Sequence, residues 1–503
     1  MEPERVKVYG LFPRTRRRYL IETTLGAFFA VFLLAAWWLG WPRLRQRLVH
    51  LEVRPNLQPL LRMTVAVLDQ TPSILLAAVL WKGMEVYFVL RAFARREAQK
   101  QVTKLSPSTT TGYSSMPSHF YAPTREDKFA FGVWCLQNRG RDPFGDQTRP
   151  ELPALECIKG LAQRSCYGFE FHDNDIIPFS ASASQRDQII RDVKKAIGDW
   201  GIKATMATTN TFYHPVFKDG AFTSTDPAVR LYTTQKVIRA IDVAAELGTQ
   251  VFVFWGGREG VEVDASKDPV EATKWFRESI NFLCNYVLSQ GYDIKFSIEP
   301  KPNEPRGDLY LPTVGSVLAF IATLDHPEMV GINPETAHIK MAGLNPYHEF
   351  AQALDSGKLL DVHLNGQKPL RFDQDLSYGS DDLKEAFFTA KLLVDHEYPG
   401  TIGFDAHPYR SEADPWDFVD RNMRTYKIMK EKVRLFNDNK EIQDLLKEIH
   451  GANTNLRGLT AKYSKEAAQK LKDMEFDPVQ LASRKLPYER LDQLVTELLL
   501  GVL

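Results

Sequence analysis

The chain is 503 residues long and carries 63 Lys+Arg against 63 Asp+Glu, a formal net charge of zero. That balance excludes a general electrostatic attraction to nucleic acid, and the length allows one large domain with something smaller beside it. The four cysteines (Cys135, Cys157, Cys166, Cys284) are scattered without a CxxC pair, which argues against a disulfide scaffold or thiolate zinc site and suits a reducing, cytoplasmic compartment.

Residues 1–103 have a membrane-like character. Residues 23–41 contain no charge, are long enough to cross a bilayer, and follow Arg14, Arg16, Arg17 and Arg18. The stretch ends in Trp37, Trp38 and Trp41 rather than in a small-residue cleavage site, which predicts an uncleaved membrane helix with an interfacial aromatic belt. A second apolar run, 73–90, contains Lys82 and Glu85 and is weaker as a span. Arg91, Arg95, Arg96 and Lys100 follow it, so basic residues at both outer ends suit a hairpin with cytoplasmic termini. Arg43, Arg45, Arg47 and Arg54 in the intervening loop argue against that topology. Residues 104–118 are rich in Ser, Thr and Pro and read as a linker. Met116 offers an alternative translation start, so membrane contact is expected only if 1–103 is expressed.

From 119 to 436, short apolar runs alternate with amphipathic stretches. The runs begin at Phe129, Tyr167, Lys203, Gln250, Asp293, Val330, Leu359 and Thr401. Helix-like stretches such as 184–200 and 226–247 lie between them, stopped by Gly201 and Gly248. Eight strand–helix units predict an α/β fold, a TIM (β/α)8 barrel. The last barrel helix is expected from about Asp414 to Asn437, and 437–503 reads as a C-terminal helical tail for subunit contacts.

Parallel α/β folds do their chemistry at strand exits. The exits here carry Trp134, His172 and Asp173, Thr208 and Asn210, Trp255, Glu299 and Lys301, Glu335, His363 and Asn365, and Asp405. The fifth, DIKFSIEPKPNEPRGD at 293–308, loses ladder donors at Pro300 and Pro302, which leaves Glu299 and Lys301 on one face where the strand ends. Buried charge is costly unless paired or bound to metal, so convergent carboxylates with histidine predict divalent cations on oxygen-rich ligands.

Residues 121–500 resemble the xylose (glucose) isomerase family, in its shorter class. The matching stretches are GRDPFGD (from Gly140), FHDNDIIPF (from Phe171), MATTNTFYHPVFKDG (from Met206), WGGREG (from Trp255), IEPKPNEPRGD (from Ile298), NPETAH (from Asn333), LNGQ (from Leu364), FDQDL (from Phe372) and ERLDQL (from Glu489). The resemblance implies a homotetramer with two divalent cations per subunit, Mg²⁺ first, with Mn²⁺ or Co²⁺ also used. It implies an aldose–ketose interconversion, D-xylose with D-xylulose and D-glucose with D-fructose, by ring opening and a 1,2-hydride shift, without a nicotinamide. His172 would assist ring opening, oriented by Asp175. Glu299, Glu335 and Asp405 would hold the first ion; Glu335 would bridge to the second, completed by His338, Asp373 and Asp375. Lys301 would hydrogen-bond the carbonyl oxygen. Trp134, Thr208, Phe212 and Trp255 would form the sugar pocket, with Phe144 reaching in from a neighbouring subunit.

The seventh run departs from the family. An aspartate ligand is expected two residues before Asn365, with a histidine two residues earlier; here Asp361 and His363 stand exchanged. Asp361 then lies roughly 6–7 Å further down the strand. His363 becomes a nitrogen ligand of the first ion, tilting preference from Mg²⁺ towards Mn²⁺ or Co²⁺. His407 replaces a frequent lysine, and Asn174 a common aspartate. Competing assignments are another TIM-barrel sugar isomerase or epimerase, a zinc endonuclease acting at abasic sites, and a membrane-tethered sugar-binding protein with impaired catalysis. The carboxylate-rich set and zero net charge disfavour the endonuclease.

Overall fold

The computed structural model describes residues 121–503 and two dipeptides near the N-terminus, Val6–Lys7 and Pro13–Arg14, which pair antiparallel. The membrane-helix, hairpin and linker expectations fall on residues outside those described. Among the described residues, no helix is long and apolar enough to cross a membrane. The chain divides into two compact units, Met1–Met116 and Pro117–Leu503, and the second is the barrel.

Seven strands form one parallel sheet: β1 (Phe129–Gly132), β2 (Gly168–His172), β3 (Lys203–Thr208), β4 (Val251–Trp255), β5 (Lys295–Glu299), β6 (Val330–Ile332) and β7 (Ile402–Phe404). Their order is β6-β5-β4-β3-β2-β1-β7. The run at Leu359, expected as a full strand, makes only isolated parallel bridges, Ile332 to Leu359, Glu335 to His363 and His363 to Gly403, yet these close the ring between β6 and β7. Pro334 has no N–H to give the ladder there. The closure is tight: a Cβ at Gly331 would lie 2.5 Å from the Lys358 carbonyl oxygen, and one at Gly403 would lie 2.6 Å from that of Val362. Only glycine lets the backbones approach so closely.

Eight helices follow the strands: α1 (Ala154–Gln163), α2 (Ala183–Trp200), α3 (Pro227–Leu247), α4 (Pro269–Gln290), α5 (Val314–Ile321), α6 (Pro346–Asp355), α7 (Leu383–Asp395) and α8 (Pro415–Asp438). Their starts are written locally. Asp226, Asp268, Asn345 and Asp414 each accept a backbone N–H at the N-terminus, with proline at the next position. Gly201, Gly248 and Gly291 stop α2, α3 and α4 in the left-handed region. Along β2 the faces alternate, so Phe169 and Phe171 join the hydrophobic core while Glu170 and His172 share the other face.

The tail forms α9 (Lys440–Gly451), α10 (Lys465–Asp473), α11 (Pro478–Ala482) and α12 (Tyr488–Leu500). Its helices differ in how they meet their own barrel. Helix α12 packs back on α8 and α7, burying Leu494, Val495 and Leu498, and Lys432 Nζ donates to the Leu498 carbonyl at 2.5 Å. Helices α10 and α11 bury no side chain.

Candidate active site

Strand exits converge on a cavity of about 290 Å³ lined by Trp134, His172, Asp175, Thr208, Phe212, Trp255, Glu299, Lys301, Glu335, His338, His363, Asp373, Asp375, Asp405 and His407. Nearly every side chain named from the sequence is therefore brought together. Phe144 is not: it is 98 % exposed and absent from the cavity wall.

The pair expected to do acid–base work lies at the end of β2. Asp175 Oδ2 accepts the His172 backbone N–H at 2.7 Å and lies 3.0 Å from His172 Nδ1. Burial disfavours the imidazolium, but the Asp175 carboxylate outweighs it and raises the His172 pKa. Asp173, also at this exit, faces elsewhere: it pairs with Lys236 and accepts the Asn210 N–H, a structural brace for the next strand's exit. Aromatic rings enclose the corner. Trp134 and Phe212 meet His172 at 4.6 and 5.6 Å between centroids, and Phe212 meets Trp255 at 4.5 Å. Trp134 Nε1 donates to Asp405 Oδ1 at 2.8 Å, which ties the aromatic wall to the carboxylates.

Among the described residues four sets of side chains converge closely enough to hold an ion, including Glu170, Asp361 and His363, and two of the four share Glu335. Glu299, Glu335, His363 and Asp405 present one ligand atom each within 4.8 Å of one another, and so do Glu335, His338 and Asp373. Glu335 belongs to both, the position of a bridge. It sits at the start of the short helix Thr336–Met341, whose first turn carries His338 onto the same side. Burial, then the charges of Asp405 and Glu299, pushes the Glu335 carboxyl well above the carboxylate range. Glu335 Oε2, Asp373 Oδ1 and His338 Nδ1 are buried without a hydrogen-bond partner. Orphaned donors of this kind among crowded acids fit divalent cations on mixed oxygen and nitrogen ligands.

Asp375 stands apart from these groups. Its backbone is left-handed, with φ of 46°, and its carboxylate meets Asn365 Nδ2 at 3.1 Å and His407 Nδ1 at 3.1 Å. Burial and the Asp373 charge push it up to about 6, whereas Asp375 draws the half-buried His407 up to about 9. The second group thus contains Glu335, His338 and Asp373 without the Asp375 expected beside them. Lys301 Nζ pairs with Asp373 Oδ2 at 2.5 Å and lies 4.9 Å above the Trp255 ring. Burial resists the charge on both, yet Lys301 and His338 hold Asp373 well below the carboxylate range.

Two residues of the site, Asn333 and Glu170, were given no role from the sequence, and a third was placed only at a strand exit. Asn365, seen only as polar, donates to Glu335, Asp375 and the Asp405 carbonyl at 2.9, 3.1 and 2.7 Å. Asn333 Nδ2 lies 2.7 Å from Glu299 Oε2 and 3.1 Å from His363 Nδ1. Glu170, fully buried, places Oε2 3.1 Å from His363 Nε2. The signal for Glu170 was present: it stands two residues before His172, hence on the inward face. Asp361 lies below the cavity, bonded to the Val362 N–H and the Thr401 hydroxyl, and is not among its lining residues.

Residues 161–424 match the family model described as a xylose isomerase-like TIM barrel. The chain is 47% identical over 384 residues to the xylose isomerase of Thermus thermophilus, covering 76% of this chain and 99% of that protein. It is 46% identical over 384 residues to the xylose isomerase of Thermus caldophilus, with the same coverage. Among solved structures, an L-ribulose 3-epimerase aligns with 62% of this chain and 96% of its own at 14% identity and a TM-score of 0.47, a likeness too remote to bear on the reaction.

Proposed function

Since the chain belongs to the xylose isomerase family, we propose that it is a metal-dependent aldose–ketose isomerase converting D-xylose to D-xylulose and D-glucose to D-fructose. The observation that carries this is the pairing of an acid–base corner with two carboxylate-rich groups sharing Glu335 in one aromatic-walled cavity. Glu299, Glu335, Asp405 and His363 would hold one divalent cation, and Glu335, His338 and Asp373 a second; Mg²⁺, Mn²⁺ and Co²⁺ are the candidates, with the His363 nitrogen tilting the first site from Mg²⁺ towards Mn²⁺ or Co²⁺. When bound, such cations supply Lewis-acid polarisation of the sugar's oxygens.

The chain's own groups do the rest. His172, held by Asp175, takes the proton from the hydroxyl of the cyclic sugar and returns one to the ring oxygen as it opens. Lys301 donates to the carbonyl oxygen as negative charge builds there. Trp134, Phe212 and Trp255 keep water from the C1–C2 bond, so that hydrogen passes from C2 to C1 with its electron pair rather than exchanging as a proton.

The exposed Phe144 and the unburied α10 and α11 fit a homotetramer, in which a second copy would cover them, and the buried free cysteines fit a cytoplasmic catalytic domain. Ketose formation from D-xylose, measured with each added cation and with chelator, tests the function. Metal-dependent xylulose formation is expected. Xylose binding without any ketose would leave a sugar-binding protein instead, and equal turnover after chelation would remove the metal role.

A further inference from the structure

Glu170 has no place in the reaction described above, yet burying a carboxylate at the barrel axis is costly unless a specific partner justifies it. It is fully buried, and its ion-pair partner among the described residues is His363, with Oε2 3.1 Å from Nε2. Imidazole nitrogens point in different directions across the ring. With Nε2 turned to Glu170, Nδ1 faces Glu299 Oε2 at 3.1 Å, Asp405 Oδ2 at 3.8 Å and Glu335 Oε2 at 3.9 Å. Ligands about 2.1 Å from an octahedral cation stand roughly 3.0 Å apart when adjacent and 4.2 Å when opposite. The three separations fall in that range.

The amide of Asn333 faces the same ring. Its Nδ2 lies 2.7 Å from the Glu299 carboxylate, which can only accept, so the NH₂ faces that way and the same nitrogen approaches His363 Nδ1 at 3.1 Å. This amide can donate to Nδ1 in the tautomer that carries its proton on Nε2, the tautomer in which the Nδ1 lone pair is open to a cation beside Glu299 Oε2 at 3.1 Å. The backbone accommodates this: a Cβ on Gly403 would stand 2.8 Å from Glu170 Oε1 and 3.1 Å from His363 Cδ2.

We propose that Glu170 is the positioning residue that makes His363 a nitrogen ligand of the first cation site, by accepting the Nε2–H and aiming the Nδ1 lone pair at Glu299, Glu335 and Asp405. The acid displaced from the ligand position by the Asp361/His363 exchange is thereby replaced one layer deeper, as a carboxylate–histidine–metal arrangement. The inference rests on the isomerase function proposed above.

Its test is Mn²⁺ binding to the full chain, by calorimetry and by electron spin-echo modulation from ligand nitrogen. Glu170→Leu is expected to weaken Mn²⁺ binding by about 10- to 100-fold. In a His363→Asp background the same change is expected to cost about twofold or less, because an oxygen ligand needs no such orientation. Glu170→Gln, which keeps an acceptor, restores most of the affinity and guards against a misfolded Leu variant. With His338→Asn removing the other imidazole, the nitrogen modulation persists, and it disappears in His338→Asn/His363→Asp. Equal losses from Glu170→Leu in both backgrounds, or unchanged modulation in it, would overturn the role of Glu170 while leaving ketose formation by the wild type intact. Failure of the wild type to bind Mn²⁺ would overturn both.

Discussion

Asp175 Oδ2 binds His172 twice, accepting its backbone N–H at 2.7 Å and facing its Nδ1 at 3.0 Å. One oxygen thus sets both the ring's position and its tautomer, leaving Nε2 to the cavity. Asp175→Asn keeps the size and removes the charge, so kcat for cyclic sugar is expected to fall on the order of 10²-fold, the lower end of what a positioned acid–base group contributes. The pH profile separates orientation from charge. Asp175 raises the His172 pKa, so its loss lowers that pKa. An imidazole that accepts a proton must begin neutral. The acidic limb of kcat/KM therefore moves to lower pH in Asp175→Asn, and a limb unmoved or moved upward would remove His172 as its source.

Lys301 serves two partners, the Asp373 carboxylate and the cavity beneath Trp255. Lys301→Met is expected to reduce kcat by about 10²–10³-fold, as loss of a donor at a developing oxyanion does. It also removes the ammonium from the partly buried Asp373 carboxylate, which keeps His338 at 3.3 Å, so the cost is below the ~3–5 kcal/mol of a fully buried broken pair. The variant should accordingly melt below wild type in chelator and closer to it with Mn²⁺. Equal destabilisation in both conditions would mean that Asp373 does not face a bound cation.

The acids are crowded only in the folded state, so a cation that neutralises their repulsion binds the native protein in preference to the unfolded chain. Divalent ions should therefore stabilise the native protein by mass action, about 2.7 kcal/mol per site at a hundredfold excess over Kd. Thermal melting against Mn²⁺, Co²⁺ and Mg²⁺ concentration measures this directly. With His363 among the ligands the order Mn²⁺ or Co²⁺ ahead of Mg²⁺ is expected, and Mg²⁺ giving the largest shift at equal concentration would count against nitrogen ligation.

The barrel was legible because its signals are local. Asp226–Pro227, Asp268–Pro269 and Asp414–Pro415 mark helix starts within two residues, and Gly201 and Gly248 mark helix ends. The pairing of His172 with Asp175 was anticipated from the resemblance that FHDNDIIPF carries, and the two side chains, three residues apart, do meet. What stayed hidden depends on distance or on backbone conformation. Glu170 meets His363 across 193 positions, and nothing near either residue announces the other. Asp375 turns towards Asn365 and His407 because its backbone is left-handed, an arrangement that residue types in an extended loop do not signal. The fate of the tail was split for the same reason. Similar amphipathic patterns produce α12, which docks on its own barrel, and α10, which buries nothing.

That split makes the tail testable residue by residue. Leu494 on α12 is fully buried against the barrel, whereas Leu481 on α11 is 52 % exposed. Leu494→Ala removes buried methyl groups and leaves a cavity, so it should destabilise the fold by about 2–4 kcal/mol. Leu481→Asp removes only a half-exposed side chain and should leave the secondary structure intact. If α11 meets a second copy in the proposed homotetramer, the new charge is buried unpaired in the interface and favours smaller species. Light scattering across a dilution series distinguishes the cases: a wild-type tetramer with a dissociating Leu481→Asp variant places α11 at the subunit boundary. A Leu481→Asp tetramer as tight as wild type would leave that helix facing water.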